Sequence, residues 1–288
     1  MDRMTSRQTR IFPFLFVLLW STGFIGARLG LPHIEPLTFL LTRYLIVIAL
    51  ITVMAVLTRA PWPTDGRIWL HVGVSGLLVH GIYLGGVFTA IARGLPAGVA
   101  SLVVGLQPLL TAIAAGWLLG ARVSARQWIG LLMGFAGVSL VVLDKIGSQF
   151  GMTALLPALV ALLGITAGTL YQKRFCPAFD WRSGAVIQFL PTAVLTAIAA
   201  ALTEHMQVQW TGELVFALGW LVLVLSIGAI SLLNWLIRHS QAVNLASLFY
   251  LVPPCTACIA WLLFGDTFSA TALAGMVLAV AGVYLARQ

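Results

Sequence analysis

Acidic side chains are the scarcest chemistry in this chain: eight Asp and Glu stand against 16 Lys and Arg in 288 residues. None of the eight falls inside any of its long apolar stretches. That absence excludes catalysis by paired carboxylates at membrane depth. It also argues against a carrier of organic cations, or one driven by a carboxylate proton relay, because both keep an intramembrane acid in spite of its cost. Charge of either sign is thin as well. Charged residues make up 8% of the chain and hydrophobic ones 60%, about a third of the charge of an average soluble domain, which excludes an ordinary water-soluble protein. The three cysteines are too few for a disulfide framework. Cys255 and Cys258 stand three apart in an apolar stretch with no His or acidic companion, and they read as small packing residues, not as a metal or redox pair. No G-x-S-x-G or H-E-x-x-H occurs, and the connections are too short for a soluble catalytic domain. The chain is expected to be no enzyme and to need no cofactor or metal.

What is present is a series of membrane-length apolar runs. A membrane helix needs roughly 20 apolar residues, and ten spans fit near 12–30, 36–57, 68–91, 96–119, 127–143, 152–172, 183–202, 214–237, 242–264 and 270–285. The expected fold is an all-α integral membrane protein of ten transmembrane helices. Three arginines precede the first run, but Phe12 to Gly30 is too long for a secretory signal and no small-residue cleavage site follows. With a cytoplasmic N-terminus, that face holds twelve basic residues, Arg59, Arg67, Lys173, Arg174, Arg182 and Arg238 among them. The opposite face holds Arg28, Arg93 and Lys145. This positive-inside bias puts both termini of the multi-pass chain in the cytoplasm. It also accounts for the net charge of +8 without nucleic acid, since the basic residues are scattered and lack aromatic interleaving.

The second half repeats the first. Ala100-Ser101-Leu102, Pro108 and Ile113 recur 146 residues later as Ala246-Ser247-Leu248, Pro254 and Ile259. After a one-residue slip, Gly120, Ser124, Gly130 and Ala136-Gly137-Val138 recur at 145 as Gly265, Ser269, Gly275 and Ala281-Gly282-Val283. Five spans per half is an odd number, so the same pattern crosses the bilayer in opposite senses. The expected organisation is a cytoplasmic tail over 1–11, a first five-helix repeat over 12–143, a linker over 144–151 and an inverted repeat over 152–286. Such inverted symmetry marks transporters that alternate access around a central cavity.

The residues Trp20-Ser21-Thr22-Gly23-Phe24, the Pro36 to Arg43-Tyr44 segment, and the twin stretches Leu106-Gln107-Pro108-Leu109 to Gly120 and Leu251-Val252-Pro253-Pro254 to Gly265 carry a resemblance over nearly the whole chain. It resembles the ten-helix EamA-type branch of the drug/metabolite transporter superfamily, and within it the YddG-type exporters of aromatic amino acids. The family often has an acid just after the fourth and ninth helices, where this chain has Ala121 and Asp266. The resemblance implies a cavity lined mainly by spans one, three, four, six, eight and nine.

Two features point to a site. Pro108 and Pro253-Pro254 fall near the middle of spans four and nine. A proline there removes a backbone hydrogen bond, freeing the carbonyls of Val104, Phe249 and Tyr250, which in lipid must find protein, water or ligand. Either the prolines mark a midplane site or they only curve helices around a cavity. The second feature is a set of polar and amphipathic side chains at membrane depth, chiefly Trp20, His80, Tyr83, Gln107 and Tyr250, which usually face a bundle interior. His80 and Tyr83 share one helix face. With Gln107 and Tyr250 they would form an aromatic pocket with a few polar anchors, unless His80 merely bonds a neighbouring helix. Arg43 lies about 10 Å from the outer end of span two at ~1.5 Å per residue, and Gln188 takes its place in the second repeat. Arg43 either snorkels to the interface or anchors a substrate carboxylate or a structural carbonyl.

The expected function is export of amino acids, aromatic ones preferred, and related small metabolites by alternating access. The expected surroundings are the lipid bilayer and a small-molecule substrate, with no nucleic acid and a monomeric protein. Multidrug or organic-cation efflux is the alternative. A structural membrane protein is the other, supported by Gly26-x-x-x-Gly30, Gly81-x-x-x-Gly85 and Gly130-x-x-x-Gly134, which permit close helix approach.

Overall fold

Ten helical units follow one another along the computed structural model, which describes residues 6–119, 123–143, 151–176, 179–239, 248–265 and 269–286. Gly120, Ala121, Ala246, Ser247 and Asp266, with most of the 144–151 linker, lie outside the described residues. The first five units are α1 (Ser6–Gly30), α2 (Pro36–Leu57), α3 (Gly66–Ala92), α4 in two pieces (Ala97–Val104 and Gln107–Leu119) and α5 (Ala125–Leu143). The second five are α6 (Met152–Phe175), α7 (Trp181–Thr203), α8 (Gly212–His239), α9 (Leu248–Phe264) and α10 (Ala270–Ala286). Among the described residues, seven of these units are long and apolar enough to cross a membrane. With α5, α9 and α10 they make the ten-helix, all-α architecture that the hydropathy pattern predicts. α1 begins at Ser6, so much of the expected 1–11 tail is helical. Its polar residues carry the helix on past the apolar run.

Three carboxylates among the described residues serve backbone N–H groups at helix ends. Asp65 caps α3 by accepting the Arg67 N–H at 2.8 Å, and Asp180 caps α7 by accepting that of Arg182 at 2.9 Å. Glu204, beyond the end of α7, reaches across to the start of α2. There it accepts the backbone N–H groups of Leu37 and Thr38 at 2.7 and 2.8 Å and the Thr38 hydroxyl at 2.7 Å. At the opposite end of the same pair, Arg182 Nη1 donates to Thr58 Oγ1 at 2.7 Å and the Ser183 hydroxyl donates to the Pro61 carbonyl at 2.8 Å. Equivalent helices α2 and α7 are thus antiparallel, so the two repeats are inverted in space.

α5 and α10 repeat the relation through glycine. A Cβ on Gly137 would meet the Gly275 carbonyl oxygen at 2.4 Å and the Ala279 nitrogen at 2.5 Å. One on Gly282 would meet the Gly130 oxygen and the Gly134 nitrogen, each at 2.5 Å. These contacts are reciprocal, and only residues without a side chain let the two backbones approach so closely. The large apolar side chains left outside the bundle, such as Leu45, Val53, Leu195 and Leu202, face what would be lipid and need no protein partner.

Candidate functional site

The helices that wall the bundle centre are not regular. α3 carries a widened stretch over Leu77–Leu84 and α8 one over Leu221–Ala229. In α8 the Ile230 N–H reaches back five residues to the Leu225 carbonyl, the bonding of a π-helix. Such turns are rare, concentrate at functional sites, and rotate the following side chains off the ordinary helical register. The two stretches hold matching places in the two repeats. Each packs on the first helix of the other repeat at a glycine: Gly23 of α1 against Leu225, and Gly168 of α6 against Val79.

Between α1, α2, α3 and α8 lies a small cavity bordered by Trp20, Arg43, Tyr83, Phe88, Leu225 and Ile230 among others. The Trp20 indole N–H donates to the Tyr83 hydroxyl at 3.1 Å, and the two rings lie nearly parallel, 6.0 Å apart and 9° inclined. Phe16 and Phe249 buttress Trp20 from behind, at 5.0 and 5.6 Å. Arg43 is 3% exposed. Its Nε donates to the Ser226 hydroxyl at 2.9 Å, in the widened stretch of α8, and no ion pair among the described residues includes it. The arginine therefore points across the bundle at the cavity, away from the interface to which it was free to snorkel.

The other expected site residues border no part of this cavity. The His80 ring lies on Phe189, with centroids 4.2 Å apart, and its backbone carbonyl accepts the Tyr44 hydroxyl at 2.7 Å. Gln107 donates to Thr169 Oγ1 at 3.2 Å. Tyr250 donates to the Leu131 carbonyl at 3.0 Å and packs its ring where a Cβ on Gly134 would stand. Gln188 donates to Ser75 Oγ at 3.1 Å and to Gln172 Oε1 at 3.4 Å. The single pocket expected of His80, Tyr83, Gln107 and Tyr250 is therefore divided among different helix contacts. α2 enters the lining of the cavity in place of α4, α6 and α9.

The prolines also differ from expectation. Pro108 is the second residue of the second piece of α4, and Pro253 and Pro254 stand in the first turn of the piece Val252–Phe264. In a first turn the missing N–H has no partner to lose, so α4 breaks at Gly105-Leu106 and starts afresh, while α9 passes without a gap from a 3₁₀ turn over Leu248–Leu251 into an α-helix at Val252. The two proline segments meet: a Cβ on Gly105, at the gap in α4, would come within 3.1 Å of the Pro253 ring. The Val252 carbonyl finds Ser21 Oγ of α1 at 3.3 Å. Ser226, Phe88 and Phe189 were not foreseen. A signal existed for Ser226, the lone hydroxyl in the apolar run Val222 to Ile230.

A helical bundle with inverted halves, facing proline segments in matching helices and a buried aromatic cavity defines a membrane transporter of the metabolite-carrier kind. The chain belongs to the EamA-like transporter family, whose model matches residues 10–143 and again 152–288. It is a transporter, not an enzyme. It is 26% identical to the uncharacterized transporter YvbV of Bacillus subtilis, over 99% of this chain and 93% of that one. It is 25% identical to a probable amino-acid metabolite efflux pump of Salmonella typhimurium, over 97% and 95% of the two chains. A solved crystal structure, 23% identical, superimposes with a TM-score of 0.76 over 96% of each chain, which speaks for the fold.

Proposed function

We propose that the protein exports amino acids, aromatic ones preferred, from the cytoplasm of a bacterial cell across the inner membrane. The observation that carries this reading is Arg43, a buried cation with no carboxylate partner among the described residues, at the wall of an aromatic cavity. A charge at that depth is costly until an anion meets it. The guanidinium fork suits a carboxylate, which it binds through two parallel hydrogen bonds. Trp20, Tyr83 and Phe88 then offer an apolar, aromatic surface to the substrate side chain. An organic cation would meet a like charge here. The name of the Salmonella relative, an amino-acid metabolite efflux pump, agrees with this class of substrate.

Transport proceeds by alternating access, with the inverted halves exchanging roles around the cavity. Gly23, Gly81, Gly85 and Gly86 and the proline segments at Pro108 and Pro253-Pro254 are the flex points. The Arg182 side is cytoplasmic, as its basic residues require, and the protein acts as a monomer. The test is uptake of labelled phenylalanine, tryptophan, threonine and methyl viologen into proteoliposomes holding only this protein, with empty liposomes as control. Saturable movement of phenylalanine and tryptophan, faster than threonine and without methyl viologen, is expected. Movement of methyl viologen alone, or of nothing, overturns the assignment.

A further inference from the structure

Buried hydroxyls in a membrane helix commonly spend their proton on their own helix, three or four residues back. Ser21, Thr166 and Thr192 each donate to the carbonyl four residues back, and Ser75 to the one three back, at 2.7 or 2.8 Å. Ser226 is placed differently. It is 1% exposed, and its hydroxyl donates to the Leu221 carbonyl, five residues back, at 3.1 Å. Leu221 opens the widened stretch of α8, so the extra residue in the turn carries Ser226 to a position that a regular helix does not give it. With its one proton spent there, the hydroxyl can only accept from another group. The group that it meets is Arg43 Nε, at 2.9 Å.

That bond decides which edge of the guanidinium is left over. The five donors of an arginine lie in one plane. They grip a carboxylate by two parallel bonds, either side-on through Nε and one terminal nitrogen or end-on through both terminal nitrogens. Ser226 occupies Nε and so closes the side-on edge. Among the described residues the Arg43 side chain makes no other hydrogen bond, and Arg43 borders the cavity. Both terminal nitrogens therefore remain for what occupies it. A long arginine side chain costs rotamer freedom to hold still, and the serine holds it before any substrate arrives. We propose that Ser226 is the positioning residue of the carrier: it presents the Arg43 fork end-on to the substrate carboxylate, and the widened stretch of α8 is what aims it. Ser226 acts through Arg43, since it does not itself border the cavity. This rests on the amino-acid reading above and deepens it.

The test measures KM and maximal rate of phenylalanine uptake into proteoliposomes for the wild type, Ser226→Ala, Ser226→Thr and Ser226→Val, with empty liposomes subtracted and rates expressed per folded carrier. Ser226→Ala and Ser226→Val are expected to raise KM about tenfold, the scale of a lost hydrogen bond to a charged group. Their maximal rate should hold, as it does when an interaction made equally in the bound state and the barrier is removed. Ser226→Thr keeps the hydroxyl and is expected to stay near the wild-type KM. Threonine and valine add the same bulk and differ only in that hydroxyl, so their comparison decides the matter even if Ser226→Ala does not fold. An unchanged KM in the alanine and valine variants overturns the positioning role. A fall in maximal rate at constant KM, or a threonine variant no better than valine, overturns it equally and leaves Ser226 a packing residue of α8. A wild type that carries no phenylalanine overturns the amino-acid reading itself.

Discussion

At the scale of single residues, the contrast between Arg43 and Gln188 is the most informative feature of the molecule. Both lie at matching depth, both reach across to the third helix of the other repeat, and each meets a serine there: Ser226 at 2.9 Å and Ser75 at 3.1 Å. The bundle therefore folds around glutamine in this position, and Arg43→Gln is expected to leave folding intact. Phenylalanine transport by that variant should fall by about ten- to a hundredfold, since a hydrogen bond to a charged group is worth ~1.5–3 kcal/mol and ~1.4 kcal/mol is tenfold. Transport kinetics beside a melting curve check this. Unchanged transport would leave Arg43 a structural residue. Trp20, Tyr83 and Arg43 were legible in the sequence because such side chains are costly against lipid and must turn inward. Their separation from His80, Gln107 and Tyr250 was not legible. Direction around a helix depends on its rotation, and the widened stretch of α3 shifts that rotation between His80 and its neighbours.

At the scale of elements, glycine decides which helices touch. The α5 and α10 backbones meet at Gly137 and Gly282, where a methyl would fall on backbone atoms that cannot rotate away. Gly137→Ala is expected to lower the melting temperature in detergent, with a cost of ~1–3 kcal/mol for overpacking. Gly98→Ala, where an added Cβ meets nothing within 4 Å, serves as the control and should melt with the wild type. Equal melting of the two variants would remove the glycine seam as an explanation of this packing. Helix positions followed from hydropathy because lipid admits few alternatives to a helix. The interruption of α4 at Gly105-Leu106 was foretold by Pro108 only as a bend. The widened stretches left no mark in the sequence, since their residues are as apolar as those of a regular helix.

At the scale of the whole molecule, inversion is fixed by contacts at both faces: Glu204 on Leu37 and Thr38 at one, Arg182 on Thr58 at the other. The orientation proposed for the membrane has a direct check. In a variant freed of Cys176, Cys255 and Cys258, a cysteine placed at exposed Gln207 should react with an impermeant maleimide on intact cells. One at exposed Thr64 should react only after permeabilisation. The reverse pattern would turn the molecule over and make the proposed exporter face the wrong way. The sequence by itself determined the class of solvent, the number of spans and the odd, inverted repeat, because these follow from run length and from recurrence along the chain. Only the tertiary structure decided that Arg43 shares a cavity with Trp20 and Tyr83, and that His80 and Gln188 stand together outside it. Those meetings join residues from different spans, and they depend on helix rotation, glycine-permitted approach and widened turns, which no one-dimensional pattern records.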